Sequence, residues 1–198
     1  MKALFNFIVS PDGERYNNST KVGDKELILN TEIFNHQHVN RNAVVLKTPI
    51  AIDTNIKEGD KLIVHHNVFR RWHNVKGLEK NSRAFMNENE YIISDDQIFL
   101  HKPKDSDEWN ATEGYCFVQP IKSTEELDVD TEEPLIGIVE YTDGTYNKGE
   151  LIGFTPSSEY EFVIEGKRLY RVMTKFITIK YEYKGYEETY NPSWAQSS

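Results

Sequence analysis

The stretch IKEGDKLIVHH, residues 56–66, joins a charged turn to an apolar strand. Gly59 allows the backbone to bend through the left-handed region, and the carboxylate of Asp60 can accept hydrogen bonds from the amides of its own turn. The run LIV at residues 62–64 is β-branched and leucine-rich, which is typical of a strand that enters a hydrophobic core. The stretch therefore predicts a tight turn followed by a buried β-strand.

A weaker copy of this stretch occurs later in the chain as NKGELIGF, residues 147–154, with Gly149 and Glu150 in place of the glycine–aspartate pair. Three further pairs of segments match in the same order: FIVSP (7–11) with CFVQP (116–120), AVVLKTP (43–49) with GIVEYTD (137–143), and YIISDDQIFLHK (91–102) with YRVMTKFITIKY (170–181). Four matches in the same order along the chain are more than chance readily produces. The sequence therefore predicts that one structural unit occurs twice in tandem.

Composition favours an all-β fold. The chain has 198 residues, of which 12% are aromatic, and its apolar segments are short and separated by Gly, Pro, Asn and Asp. Such a pattern is typical of a barrel or a sandwich. The expected organisation is a first barrel at 1–103 with a long loop at 12–42, a polar linker at 104–113, a shorter second barrel at 114–184 and a tail at 185–198. The first copy also has an insertion at about 67–83 that the second copy nearly lacks.

Several functional classes are disfavoured. The formal net charge of −9 opposes non-specific binding to nucleic acid, because the phosphate backbone repels an acidic surface. Cys116 is the only cysteine, so no intrachain disulfide can form, and we expect it to be a small buried hydrophobe. No apolar stretch approaches the ~20 residues needed to cross a bilayer, and the apolar run near the start is too short for a secretory signal. We expect a cytoplasmic protein.

Two local patterns suggest alternative sites. His36 and His38, together with the adjacent His65 and His66, suggest a metal site, but no carboxylate or cysteine pair completes one at a known spacing. The run FRRWH at residues 69–73 is basic and aromatic and could stack on a nucleic-acid base. No Ser-His-Asp order, phosphate loop or paired carboxylates stand out. We expect no enzyme, no cofactor and no metal.

The order of these motifs resembles the GroES-type co-chaperonin family. Its members have a first strand, a long mobile loop, a second strand, a glycine–aspartate turn with a third strand, and a final D-I-L strand. VNRNAVVLKTP (39–49), IKEGDKLIV (56–64) and NEYIISDDQIFLHK (89–102) are similar to the later elements, and in the second copy Lys175 replaces the final aspartate. The resemblance covers almost the whole chain as two copies. It implies an all-β protein of two tandem GroES-like β-barrels.

The resemblance also implies a function. A co-chaperonin caps a GroEL-type chaperonin ring and assists protein folding without a catalytic site of its own. The triplet Leu27, Ile28 and Leu29 occupies the position of the family's apolar anchor in the mobile loop, so the resemblance implies that it binds the chaperonin. LILNTEIF, residues 27–34, could instead be a strand of the barrel. The acidic loop of the second copy, residues 122–135, lacks such a triplet and is expected to be solvated.

Assembly follows from the same resemblance, which implies a homo-oligomeric ring. In such a ring the strand at 4–9 pairs with the strand at 176–183 of a neighbouring chain. Tandem arrangements with irregular loops are familiar among viral relatives, so we expect a phage-encoded co-chaperonin in the host cytoplasm. The alternative is a virion or other structural protein that uses GroES-like barrels for assembly without binding a chaperonin.

Overall fold

The computed structural model describes residues 2–16, 39–123, 131–182, 184–185 and 187–196, and also the backbone of two strands at 19–22 and 25–28. Nearly all regular structure in these residues is antiparallel β, so the prediction of an all-β fold is confirmed. The chain divides into two compact units, Met1–Trp109 and Asn110–Ser198, which are called the first and second unit below.

The first unit contains ten strands in its described residues. They are β1 (Phe7–Pro11), β2 (Ser19–Val22), β3 (Lys25–Ile28), β4 (Asn42–Lys47), β5 (Lys61–Val64), β6 (Arg71–His73), β7 (Glu79–Asn81), β8 (Phe85–Asn87), β9 (Glu90–Ile93) and β10 (Ile98–Lys102). A 3-10 turn, Asp95–Gln97, links β9 to β10. Its capping box, formed by Ser94 and Gln97, ends β9 and redirects the chain into the last strand of the unit.

The second unit repeats this succession with fewer insertions. Its strands are β11 (Asn110–Ala111), β12 (Tyr115–Lys122), β13 (Glu132–Thr142), β14 (Leu151–Phe154), β15 (Tyr160–Ile164), β16 (Lys167–Met173) and β17 (Ile177–Tyr181). A 3-10 turn, Thr174–Phe176, again precedes the last strand, and a one-turn helix α1 (Ser193–Gln196) follows in the tail. The β15–β16 hairpin turns at Glu165 and Gly166, both at positive φ (50° and 75°).

The large sheets of the two units have the same strand order. In the first unit the order is β10-β5-β4-β1-β9-β8, and in the second it is β17-β14-β13-β12-β16-β15. The registers of the paired strands also match. Val9 of β1 is paired with Val45 of β4, and at the equivalent place Val118 of β12 is paired with Val139 of β13. The four matched pairs of segments therefore occupy equivalent places in the two sheets. Among the described residues neither sheet closes on itself, so the structure shows two open antiparallel sheets.

Each sheet buries one face in its own core. Seven buried side chains of the second core each occupy the place of a buried side chain in the first. The equivalent pairs are Phe7 and Cys116, Val9 and Val118, Val45 and Val139, Leu62 and Ile152, Val64 and Phe154, Ile93 and Val172, and Ile98 and Ile177. Strand alternation sends these side chains to the same face in both units.

Two segments outside the matched strand pairs are also ordered in the structure. The predicted polar linker, 104–113, contains Trp109, which is 8% exposed, and the short strand β11. The indole of Trp109 is apolar enough to bury, and the ammonium of Lys102 lies 5.8 Å from the centre of its ring. The tail at 185–198 packs on its own unit through its described residues. Tyr190 N donates to Pro120 O at 2.7 Å, and the side chain of Asn191 bonds the β15–β16 turn.

Candidate functional site

The two glycine–acid turns have one backbone geometry. Gly59 has φ +92° and Gly149 has φ +86°, both in the left-handed region. Each glycine N–H donates to the carbonyl of the equivalent valine, Val45 or Val139, at 2.8 Å. The same valine N–H then donates to the carbonyl of the acid, at 3.0 Å in the first unit and 2.9 Å in the second. These bonds start the β4–β5 and β13–β14 ladders, so the turns have a structural role.

The acidic side chains of these turns have different partners. Asp60 is 3% exposed, and its carboxylate accepts from the backbone N–H of Lys57 at 2.8 Å and of Lys104 at 2.9 Å. Glu150 is longer and accepts instead from the side chains of Lys180 at 2.7 Å and Asn147 at 2.6 Å. The bonds from Lys180 and Asn147 lower the pKa of Glu150.

The long loop of the first unit, residues 12–42, leaves the sheet from an ordered base. Asn40 closes this base, because its side-chain amide donates to Asp12 O at 3.0 Å and to Glu14 O at 2.8 Å. The backbone N–H of Asn40 donates to Arg15 O at 2.9 Å, and Tyr16 pairs with Val39 in an antiparallel bridge. Both arms of the loop are thus held together at 15–16 and 39–40.

Arg15 anchors this base in the core of the first unit. Its side chain is 9% exposed and donates to Phe69 O at 3.2 Å and to the Asn81 side chain at 2.9 Å. The guanidinium also lies 5.4 Å from the ring centre of Tyr91 and forms an ion pair with Glu88. A buried guanidinium requires such partners, because an unpaired charge in the core is strongly destabilising.

Tyr16 connects the loop base to the insertion at 67–83. Its hydroxyl accepts from Arg71 N at 2.7 Å, and the Arg71 guanidinium lies 5.0 Å from its ring centre. The insertion contains the β6–β7 hairpin, which has no counterpart among the described residues of the second unit. Sequence reasoning missed the anchoring role of Arg15 and Tyr16. The available signal was that the unit with the long loop also carries the insertion.

Part of the predicted chaperonin anchor lies in a hairpin. Leu27 and Ile28 belong to β3, which pairs with β2 through Thr20 and Ser19 respectively. Leu29 lies outside the described residues. β2 and β3 form a separate two-stranded sheet and pair with no described strand of the large sheet. The backbone of Leu27 and Ile28 is therefore extended, and it belongs to a two-stranded sheet separate from the hydrogen-bonded ladder of the first unit's main sheet.

The equivalent loop of the second unit is short. β12 and β13 extend toward it, and Ser123 N donates to Thr131 O at 2.9 Å. Residues 124–130, the centre of the predicted acidic loop, lie outside the described ranges. At its base Glu132 accepts from the Tyr170 hydroxyl at 2.5 Å and forms an ion pair with Arg168. The base of this loop is thus held by a charged network on the sheet rather than by an insertion.

The basic and aromatic run at 69–73 divides between core and surface. Phe69 is fully buried and packs edge-on against Tyr91, with ring centres 4.8 Å apart. Trp72 is 36% exposed, and it lines a surface groove together with Arg70. Only part of this run is therefore available to a ligand.

The histidines and the cysteine do not form a reactive or metal-binding cluster in the described residues. His65 and His66 stack with ring centres 4.3 Å apart, whereas His36 and His38 lie outside the described residues. No group of three His, Cys, Asp or Glu side chains in the described ranges is placed to hold a metal. Cys116 is fully buried as expected, and burial raises the pKa of its thiol to about 12.

The last strands of the two units differ in exposure. β10 buries Ile98, Phe99 and Leu100, whereas the equivalent strand β17 buries only Ile177. Ile179 takes the place of Leu100 and is 48% exposed, while Leu100 is fully buried. β17 pairs with β14 on one side, and no described strand pairs with its other side.

The chain matches no protein-family model, no curated protein and no solved structure. The resemblance to GroES-type co-chaperonins therefore depends on the order and spacing of its short motifs. None of the helices in the described part of the chain is both long and apolar enough to cross a membrane.

Proposed function

We propose that the protein is a co-chaperonin-like lid built from two tandem GroES-like β-barrels, which caps a GroEL-type chaperonin ring and assists protein folding. The observation that supports this best is the base of the long loop. Arg15 and Tyr16 fix that base to the core and to the insertion, so that the long loop starts from a rigid platform. Binding segments are typically loops that a rigid scaffold positions.

Leu27, Ile28 and Leu29 are the residues that we propose to bind the chaperonin. Leu27 and Ile28 belong to β3, which pairs with β2 and with no described strand of the first unit's main sheet, so their strand is not part of that sheet's hydrogen-bond ladder. Burial of two or three aliphatic side chains in an apolar groove contributes a few kcal/mol per chain. Copies in a homo-oligomeric ring would multiply this contribution through avidity. The lid uses no cofactor, and nucleotide hydrolysis belongs to the chaperonin.

The direct test is capture of the protein by a GroEL-type chaperonin with ATP. We expect the wild type to be retained and Ile28→Asp to be lost, because a charged side chain cannot enter an apolar groove. Val75→Asp is the matched control, since Val75 is a fully exposed apolar residue in the insertion. If Ile28→Asp and Val75→Asp are captured equally, the proposed anchor is wrong. If the chaperonin captures neither the wild type nor either variant, the proposed lid function is wrong.

A second candidate function is a structural one, in which the chain assembles with copies of itself, for instance in a phage particle. Its support is β17, an edge strand with Phe176, Ile179 and Tyr181 exposed at or beside it. An uncovered apolar edge favours pairing with another chain. Under either function we propose that this edge forms the contact between copies of the chain.

Sedimentation velocity tests the assembly. We expect the wild type to form oligomers and Ile179→Lys to sediment as a monomer, because lysine on an edge strand blocks pairing. Val75→Lys controls for the added charge. If the wild type assembles but captures no chaperonin, the structural function is favoured over the lid. A monomeric wild type contradicts both the ring and the structural assembly.

A further inference from the structure

The first unit carries a surface groove that neither proposed function uses. It has a volume of about 640 Å³ and lies beside the insertion at 67–83. Pockets of roughly 300–1,000 Å³ are the size that small-molecule ligands occupy. Six of the residues that line it are Asn67, Arg70, Trp72, His73, Arg83 and Gln97.

The groove has a cationic lining. Arg70 and Arg83 contribute two guanidinium groups, and no carboxylate is among the described residues that line it. The neighbouring arginines are engaged elsewhere, since Arg15 pairs with Glu88 and Arg71 pairs with Glu79. Arg70 has no hydrogen-bond or ion-pair partner among the described residues, and its Nε atom is buried. Guanidinium groups bind phosphate and carboxylate oxygens with two parallel hydrogen bonds.

The lining of the groove also includes an indole ring and amide groups. Trp72 is 36% exposed, and a partly exposed indole face is a stacking surface for a planar ring. The side-chain oxygen of Gln97 accepts from Ser94 N at 3.2 Å, which leaves its NH₂ group as a donor at the groove. Asn67 adds a second amide. Donors and acceptors of this kind recognise the edge of a nucleobase.

We propose that this groove binds a small ligand that carries both a phosphate group and a planar ring, namely a nucleoside phosphate. Arg70 and Arg83 bind the phosphate, and Trp72 stacks on the base. The net charge of −9 favours a free nucleotide over a long polyanion, which the remaining acidic surface would repel. The proposal is independent of chaperonin capture, because Leu27, Ile28 and Leu29 do not line the groove.

Isothermal titration calorimetry of the full chain with ADP tests the proposal, with adenosine, inorganic phosphate and a ten-nucleotide oligoadenylate as comparison ligands. We expect ADP to bind at least tenfold more tightly than adenosine or phosphate, because only ADP fills both parts of the groove. Loss of one charge-assisted contact in Arg70→Gln should weaken ADP binding about tenfold. We expect a similar loss in Trp72→Leu, where the stacking surface is removed.

Lys76→Gln is the matched control, because it removes one positive charge from the same insertion outside the groove lining, and it should change ADP binding less than about twofold. Unchanged circular dichroism establishes that each variant is folded. A variant that unfolds is replaced by Arg83→Gln, for which we expect the same weakening.

Three results would overturn the proposal. No heat and no amide chemical-shift change with 5 mM ADP would exclude the ligand class. Phosphate that binds as tightly as ADP would exclude recognition of the ring. Oligoadenylate that binds far more tightly than ADP, with affinity falling steeply as salt rises, would assign the groove to single-stranded nucleic acid instead.

Discussion

The two units have large sheets of the same strand order and differ in the loops and insertions that connect the strands. The first unit carries both the long loop at 12–42 and the insertion at 67–83, and Arg15 and Tyr16 join the base of the loop to the insertion. The second unit has a short loop, and its described part contains no equivalent hairpin. Since the two additions occur together and contact each other, the insertion is best understood as the support of the loop. The repeated sheet serves as the framework to which both were added.

The largest expected difference between equivalent positions is at the last strands. Leu100→Ala should lower the free energy of unfolding by about 2–5 kcal/mol, because it leaves a cavity in a fully buried site. Ile179→Ala, at the equivalent but exposed position, should change it by less than about 0.5 kcal/mol. Urea denaturation followed by circular dichroism measures both. Equal losses would mean that β17 is covered, for example by a second copy.

The acids of the two turns give the next contrast. Asp60→Ala leaves the N–H groups of Lys57 and Lys104 without their acceptor and should cost about 2–4 kcal/mol. Glu150→Ala should cost much less, because its partners are side chains that water can solvate. Urea denaturation of the two variants compares them directly. Similar costs would contradict the distinction between a buried carboxylate that accepts from backbone N–H groups and a carboxylate that pairs with an exposed lysine.

Arg15 tests whether the insertion supports the loop. Arg15→Leu should cost about 2–3 kcal/mol, because it removes charge-assisted bonds to Phe69 O and Asn81. Hydrogen exchange should also become faster at the amide of Asn40, which bonds Arg15 O. Glu88→Gln is the control, because this partner of Arg15 is largely exposed. Unchanged exchange at Asn40 in Arg15→Leu would show that the loop base holds without the anchor.

Acid should destabilise the two units in different pH ranges, and this is the smallest expected effect. Burial lowers the pKa of His101 below its usual 6.5, so its stabilising effect is present above pH 6.5 and is lost as the pH falls through the folded-state pKa. In the second unit Lys180 takes the place of His101, and its ammonium bonds the carboxylate of Glu150. This bond lowers the pKa of Glu150, so the stability that Glu150 contributes is lost only below pH 4.5.

The free energy of unfolding should be measured at pH 7, 5.5 and 4. We expect His101→Gln to remove the fall in this free energy between pH 7 and 5.5 and to leave the fall at lower pH unchanged. An unchanged decline in His101→Gln would mean that another group is protonated in this range.

Much of the fold was predictable because its signals are local. The KEGD and NKGE turns carry glycine where the backbone needs positive φ, and the strands after them are apolar. By contrast, β6 to β8 read RWH, EKN and FMN, which are too short and polar to show strand alternation. β6 and β7 pair with each other and β8 pairs with β9, so these strands are defined by their partners rather than by a local pattern.

The site was less predictable than the fold. The role of Arg15 depends on contacts with Phe69 and Asn81, which are distant in sequence, so no local sequence pattern predicts this role. The exposure of β17 was equally hidden, since ITIKY and IFLHK both read as apolar strands.

The matching registers of β1 with β4 and of β12 with β13 create a hazard during folding. A nascent chain that exposes both strand sets at once can pair β1 with β13, because the partners present the same valines at the same places. Such strand exchange produces entangled halves that must separate before either core forms. We expect that folding of the first unit before synthesis of the second is complete avoids this kinetic trap, so that the order of synthesis protects a duplicated sheet.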